Sequence, residues 1–283
     1  MPELPEVQSI VTVLKQGKEN VPPVVGQVIE SSVVRWQRTI VEPPANLFGG
    51  FIKGQTVVDA KRRGKFIHLP MDQGHLIVHL RMSGDLFMEE KPAKDADMPV
   101  RTHDRVELNF ESNWRLVFND PRKFGRMWLL DNPGTLFDHL GVEPFDENLT
   151  AERLFQMLAK SKKQVKTLLL DQTFLSGLGN LYSDEALFKA GIHPLRKANT
   201  IKTIEAELLL SSIRQVLGDA ITRNGTSIDW VYRGGSFQDQ LNVYQKDGNP
   251  CPVCGKLIER ILVGQRGTHF CATCQPYFES ETR

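Results

Sequence analysis

The main change in the spacing of apolar residues along this chain falls between residues 131 and 150. From about 24 to 130 short runs follow one another, among them "VIESSVVRW", "QTVVDAKRR", "GKFIHLP", "HLIVHLRM", "DRVELNFE", "WRLVFND" and "GRMWLL". Gly, Pro and Asp punctuate them, and several alternate apolar with polar residues, as in "RVELNF". Period-two runs at close spacing predict an antiparallel sandwich or barrel. Beyond Thr150 the spacing becomes helical in "TAERLFQMLAK", "KKQVKTLLLDQ", "LYSDEALFKAG" and "TIEAELLLSSIRQVLGDAITRNG", with Thr150 as an N-cap. Two periods in two halves predict an α+β chain of two domains. We place an N-terminal β domain at 1–133, a turn-rich linker at 134–149, a helical domain at 150–240 and a small terminal ribbon at 241–283. Residues 90–99 read as a loop between strands.

The chain opens "MPELPEV", and 2–15 read as a helix. Val7, Ile10, Val11 and Leu14 fall at i, i+3, i+4 and i+7, one apolar stripe. Prolines suit a first helical turn, and Glu3 and Glu6 complement the positive end of the helix dipole. On these features alone the opening is an ordinary acidic helix start.

With 35 basic and 34 acidic residues, the net charge of +1 excludes a uniformly basic coat. Contact with a polyanion would need locally concentrated charge. Two runs offer it. Residues 53–65 hold five basic side chains against one acid, and 160–166 hold four lysines and no acid. Each run alone reads equally as solvated surface. No apolar stretch reaches membrane-spanning length and no signal-peptide core is present, so the chain reads as cytosolic and bacterial.

All four cysteines lie in the last 33 residues, as Cys251-x-x-Cys254 and Cys271-x-x-Cys274 with 16 residues between the pairs. That spacing is a zinc pattern. Free buried thiols or a redox pair are the other readings; two knuckles at this separation favour one zinc ion. Four thiolates would leave no coordination position for water, so the zinc would be structural. His269 lies close by and is not needed as a ligand. Upstream, "FLSGLGN" reads as a Gly-containing turn at 176–180 entering a helix. Gly177 and Gly179 would let backbone approach an anion at the helix start; a plain helix connection is the bland alternative.

Taken in order, "PELPEV", "RRGKF", "HLRMSG", "NDPRKFG", "DQTFLSGLGNLYSDEALFKAGIHP", "FQDQLNVYQKDGNPC" and "GQRGTHFCATCQ" make the chain resemble the bacterial formamidopyrimidine-DNA glycosylase family along essentially its whole length. The resemblance implies an N-terminal β-sandwich with flanking helices, and a C-terminal domain with a helix-two-turn-helix and a four-cysteine zinc ribbon. It implies a monomer that acts on damaged double-stranded DNA, with no membrane partner. The implied activity is excision of oxidised purines followed by strand cleavage.

In that family the initiator methionine is removed, and the nitrogen of Pro2 attacks the sugar. Glu3 is implied as general acid and base, and Glu6 as an orienting carboxylate. Lys65 is implied to reach phosphate or the leaving base. Arg266 completes the implied catalytic set of Pro2, Glu3 and Lys65, and with Lys166 and Asn180 it grips the DNA backbone. Met82, Arg122 and Phe124 are implied to fill the gap left by an extruded nucleotide. Core packing is the alternative for Met82 and Phe124, but "RMSG" and "RKFG" are turn sequences, which favours exposure. Residues 224–238 would cover the extruded base, with Gly234 and Gly235 suited to a mobile lid. Ser83 and this loop vary in the family. Two rivals remain at this level: the sister endonuclease VIII-type branch for oxidised pyrimidines, against which "ELPEV" and "DPRKFG" speak, and a non-catalytic zinc-containing DNA-binding protein.

Overall fold

The computed structural model describes residues 1–92, 101–227 and 234–277. Part of the 90–99 loop and of the expected lid therefore lies outside the described residues. The chain divides into two units, one of Met1–Asp138 with Asn224–Gly235, the other of His139–Arg223 with Ser236–Arg283. A short segment late in the chain thus belongs to the first unit.

In the first unit helix α1 (Leu4–Gln16) is followed by β1 (Ile29–Val34), β2 (Ile40–Glu42), α2 (Ala45–Ile52), β3 (Lys61–Arg63), β4 (Phe66–Pro70) and β5 (His75–His79). Then come β6 (Asp85–Glu90), β7 (Asp104–Phe110), β8 (Trp114–Asn119), β9 (Arg126–Leu130) and the single-turn α3 (Gly134–Phe137). They build a four-stranded sheet, β1-β7-β8-β6, and a five-stranded sheet, β2-β9-β5-β4-β3. All named pairs are antiparallel except β2 with β9.

The α1 stripe of Val7, Ile10, Val11 and Leu14 is buried in a core shared with both sheets. Leu86, Val106, Leu116 and Phe118 enter it from one sheet, and Ile67, Leu69, Leu76 and Val78 from the other. Each fully buried side chain of this size contributes about 1.5–3 kcal/mol. Gly17 ends α1 at φ +77, and a Cβ there would lie 2.6 Å from the Val21 carbonyl oxygen. Helix α2 and strands β2 and β6 were not foreseen from the sequence: "ANLFGGFI" carries two glycines and no capping residue that would mark a helix.

The second unit contains α4 (Ala151–Ala159), α5 (Val165–Leu169), α6 (Asn180–Lys189), α7 (Thr203–Thr222) and the hairpin β10 (Glu259–Val263) with β11 (Arg266–Phe270). Thr150 caps α4, its Oγ1 accepting from the Arg153 N–H at 3.1 Å. Helix α7 packs against α4 and α6 and buries Leu209, Leu210, Ile213 and Leu217. Arg214 from α7 donates to the carbonyls of Pro144, Asp146 and Leu149 at 2.9–3.0 Å. These hydrogen bonds order a Pro- and Asp-rich approach to α4 which has no regular structure of its own. No helix among the described residues is long and apolar enough to cross a membrane.

The five-stranded sheet carries two histidines held neutral. Burial, then the neighbouring His75 and Lys61, pushes His68 down to about 4. Burial, then Arg81 and Lys65, pushes His79 to about 3. Both folded values lie below the ordinary 6.5, so these sites favour the folded state above pH 6.5 and lose that contribution as pH falls toward 4 and 3. The melting temperature should therefore drop between pH 6.5 and 4. His79→Gln, which cannot take the proton, should show a shallower drop by calorimetry across that range.

Candidate active site

The chain's opening forms a compact electrostatic knot. Pro2 is buried, and Glu3 stands before the first residue of α1. Glu3 and Glu6 are 5% and 3% exposed. The backbone N–H of Glu3 donates to Glu6 Oε2 at 2.9 Å. The other Glu6 oxygen accepts from the Thr226 N–H at 2.8 Å and from Thr226 Oγ1 at 3.3 Å. Glu6 thus joins the first turn of the chain to a segment 220 residues later. Charge-assisted bonds of this kind contribute about 1.5–3 kcal/mol each, and the helix N-terminus adds favourable field.

Gly225 is needed at this joint: its φ is +74, and a Cβ would lie 2.5 Å from Glu6 Oε1. Ser227 closes the other side, its Oγ donating to the Gly235 carbonyl at 2.8 Å and accepting from the Gly235 N–H at 3.0 Å. A Cβ on Gly235 would collide with the backbone of Gly225 and Thr226. Gly235 therefore serves close backbone approach at the stem of the expected lid; residues 228–233 lie outside the described residues.

Lys65 follows Gly64 in the β3–β4 turn and is 5% exposed. Arg62 ties that turn to α1, donating through Nε to Gln8 Oε1 and through Nη1 to the Gly64 carbonyl, both at 3.0 Å. His79 lies opposite Phe66 in the β4–β5 register. Its Nδ1 accepts from the Arg81 N–H at 3.0 Å and so supports Arg81 at φ +57, the turn that presents Met82. Met82, Arg122 and Phe124 are all exposed, Met82 to 39% and Phe124 to 46%. The Arg122 guanidinium lies 5.3 Å from the Phe124 ring centroid.

In the second unit Asn180 is the first residue of α6, and its Nδ2 donates to the Gly267 carbonyl at 2.8 Å. This brings Asn180 beside Arg266 on the ribbon. A cleft of about 450 Å³ is lined there by Asn180, Tyr244, Gln245, Asp247, Arg260, Gly267 and His269. Arg266 itself is exposed.

Lys166 occupies a different kind of place from the surface grip implied by its neighbours in sequence. Its side chain is wholly enclosed. Its ammonium meets Asp184 Oδ1 at 2.5 Å and the Asn180 carbonyl at 2.8 Å. Asp184 Oδ2 accepts from the His269 N–H at 3.0 Å and sits 3.1 Å from His269 Nδ1. Lys166 therefore ties α5 to α6, and through Asp184 to the ribbon. The exposed lysines of the run, such as Lys163 paired with Asp171, have no such role. Asp184 and His269 carry no sequence signal of this network, because the pairing is between a mid-helix acid and a strand backbone.

The four cysteines converge, with ligand atoms all within 4.8 Å of one another. Cys251 and Cys274 sulfurs are 3.8 Å apart and those of Cys254 and Cys271 3.4 Å. Tetrahedral Zn–S bonds of about 2.3 Å place sulfurs about 3.8 Å from each other, so the set fits one Zn²⁺ with no open position. Cys251 and Cys271 pack with Phe188, Val243 and Ile258, a core too small to hold a ribbon without metal.

The family model described as the formamidopyrimidine-DNA glycosylase N-terminal domain matches residues 1–127, and the H2TH domain of the same glycosylase matches 140–231. A zinc finger found in FPG and IleRS matches 248–276. The chain belongs to the formamidopyrimidine-DNA glycosylase family. It is 40% identical over 284 residues to the formamidopyrimidine-DNA glycosylase of Protochlamydia amoebophila, covering 97% of this chain and 99% of that relative. The corresponding protein of Bacillus anthracis is 40% identical over 286 residues, covering 98% and 99%. Among solved structures, Lactococcus lactis Fpg bound to DNA containing N7-benzyl-Fapy-dG superposes with a TM-score of 0.88 at 34% identity, covering 98% of this chain and all of that one. The same L. lactis protein with DNA containing an abasic site gives 0.87 at 34%, covering 97% and all of it. As in the family, the helices enter a helix-two-turn-helix module and the cysteines a zinc finger.

Two measurements test this architecture. A chelator combined with thiol modification should release one equivalent of zinc per chain, read with a metallochromic dye. Asp184→Asn strands a buried ammonium and should cost about 3–5 kcal/mol in thermal denaturation, whereas Lys163→Ala, at an exposed pair, should cost less than about 1 kcal/mol.

Proposed function

We propose that this chain excises oxidised purines of the formamidopyrimidine and 8-oxoguanine type from duplex DNA, and then cuts the strand, with the nitrogen of Pro2 as nucleophile. The observation that carries the reading is the buried Pro2–Glu3–Glu6 start of α1, anchored through Thr226. The two carboxylates cap the start of α1 reciprocally, and their enclosure beside Pro2 also places an acid within reach of the terminal nitrogen. The named activities and ligands of the relatives, Fapy-dG and abasic DNA among them, agree with it.

The chemistry follows from the groups present. Removal of Met1 exposes a secondary amine. An α-amino group has an ordinary pKa of about 7.7–8.0, so a useful fraction is neutral near pH 7. The amine attacks C1′, the bond from C1′ to the base breaks, and the base departs with a proton. Glu3 delivers a proton to the ring oxygen as the sugar opens, leaving an iminium between Pro2 and C1′. The iminium acidifies C2′; loss of one C2′ proton expels the 3′ phosphate, loss of the C4′ proton from the conjugated iminium expels the 5′ phosphate, and water then hydrolyses the sugar remnant from Pro2. Glu6 holds the first turn in place and does not itself transfer a proton. Lys65, enclosed in the β3–β4 turn, is assigned to phosphate or the leaving base. Met82, Arg122 and Phe124 occupy the space of the extruded nucleotide, Phe and Met as apolar wedges and Arg122 toward the orphaned partner base. Asn180 and Arg266 hold backbone phosphates, and Lys166 serves them by fixing the Asn180 end of α6. The zinc holds the ribbon shape and takes no part in bond making. We further propose that the chain acts as a monomer in the bacterial cytoplasm.

Borohydride tests the reading. Incubated with duplex containing a formamidopyrimidine, the mature chain should form a reduced covalent adduct on a denaturing gel. A form retaining Met1 should give none, and Glu3→Gln should excise about 10²–10⁴-fold more slowly. A gel shift without any adduct would favour the non-catalytic DNA-binding alternative.

A further inference from the structure

The two turns assigned to the wedge come from distant parts of the first unit, 80–84 and 120–125, yet they share one buried polar centre. Asp120 is 0% exposed and Ser83 3%. Asp120 Oδ1 accepts from Ser83 Oγ and, at 3.1 Å, from the Arg122 N–H. Its Oδ2 accepts from the Gly125 N–H at 2.7 Å. Ser83 Oγ also accepts from the Arg122 N–H at 3.1 Å. One carboxylate thus gathers the N–H groups of the second turn and grips the residue that follows Met82 in the first.

The carbonyl side of the same turn is held as well. Arg126 Nη1 lies 3.3, 3.0 and 2.8 Å from the carbonyl oxygens of Lys123, Phe124 and Gly125. Asp120 is itself anchored through its backbone: its N–H donates to the His103 carbonyl at 2.9 Å, and its carbonyl accepts from Arg105 Nε at 2.7 Å. Beneath both turns lies one ring. A Cβ on Gly84 would lie 3.0 Å from Phe118, and one on Gly125 would overlap the same ring. Ser83, Gly84, Asp120 and Gly125 are buried, while Met82, Arg122 and Phe124 reach solvent together with Arg81, Pro121 and Lys123 beside them.

We propose that Asp120, acting through Ser83, is the positioning residue that makes these two turns a single rigid wedge. The proposal rests on the function proposed above and deepens it, because it assigns Asp120 to base extrusion and not to chemistry at Pro2. A wedge must hold its shape against the stacking it displaces, which costs a few kcal/mol. Tips on independently moving turns would spend part of their contact on ordering themselves. Asp120 is enclosed and touches no solvent, so its effect reaches DNA only through the backbone it holds. Asparagine in its place loses an acceptor and sets an N–H₂ group against the N–H groups it should receive.

The test compares two substrates. A formamidopyrimidine in paired duplex must be extruded; an abasic site in a single strand has no base to extrude. Asp120→Asn and Ser83→Ala should slow duplex excision by roughly 10- to 100-fold, while borohydride trapping on the single-stranded abasic oligonucleotide stays within about twofold. Hydrogen exchange on the free protein gives a readout without DNA: Ser83→Ala should accelerate exchange at the Arg122 and Gly125 amides and leave Thr226 unchanged. Ser83→Ala removes the bridge and one acceptor of the Arg122 N–H while leaving Asp120 in place, so it carries the test if Asp120→Asn does not fold. Trapping by the unaltered chain is the control, and its absence would refute the Pro2 chemistry. With that control intact, equal losses on both substrates, or unchanged exchange at Arg122 and Gly125, would overturn the role of Asp120.

Discussion

Buried carboxylates that accept backbone N–H groups organise the functional parts of this molecule. Glu6 takes the N–H groups of Glu3 and Thr226, and Asp120 those of Arg122 and Gly125. In the second unit Asp184 takes that of His269, and Glu185 those of Asn242, Val243 and Tyr244. The physical reason is common to all of them. Irregular backbone near a core must satisfy its N–H groups without a helix or sheet ladder. A carboxylate does so with two oxygens and up to four lone-pair sites, and its bonds are the charge-assisted kind. Each acid is costly to bury alone and well compensated where it stands.

This arrangement explains how irregular segments can be precise. The turns that carry Met82 and Phe124, and the stem of the expected lid, contain little apolar surface with which to pack. Sheets and α1 supply the rigid frame through a large shared core. Acids projecting from that frame then fix the loops. In the second unit the zinc ligands do for the ribbon what Asp184 does for its junction with α6: both replace packing that so short a segment cannot supply.

The parts of this fold that could be read from the sequence were those with local signatures. The α1 stripe, the Thr150 cap, the alternating runs and the two cysteine knuckles each declare themselves within a window of a few residues. The carboxylate contacts do not. Glu6 and Thr226 are 220 residues apart, and Ser83 and Asp120 37. Asp120 does precede a turn, "DPRKFG", and Asp commonly accepts from N–H groups two residues on; half of its role was therefore legible, and the bridge to Ser83 was not. Lys166 misleads for the same reason. It sits in a run of lysines that reads as surface, while the acid that draws it inside lies 18 residues later in another helix. Helix α2 was hidden by its glycines.

The central claim is that the imino nitrogen exposed at residue 2 is the atom that bonds to deoxyribose. Proteolysis of the borohydride-reduced complex, followed by tandem mass spectrometry, locates that bond directly. The account predicts that the sugar remnant is found on the N-terminal peptide, at the nitrogen of Pro2. A remnant carried on a lysine side chain, Lys65 included, with the Pro2 peptide unmodified, would contradict it.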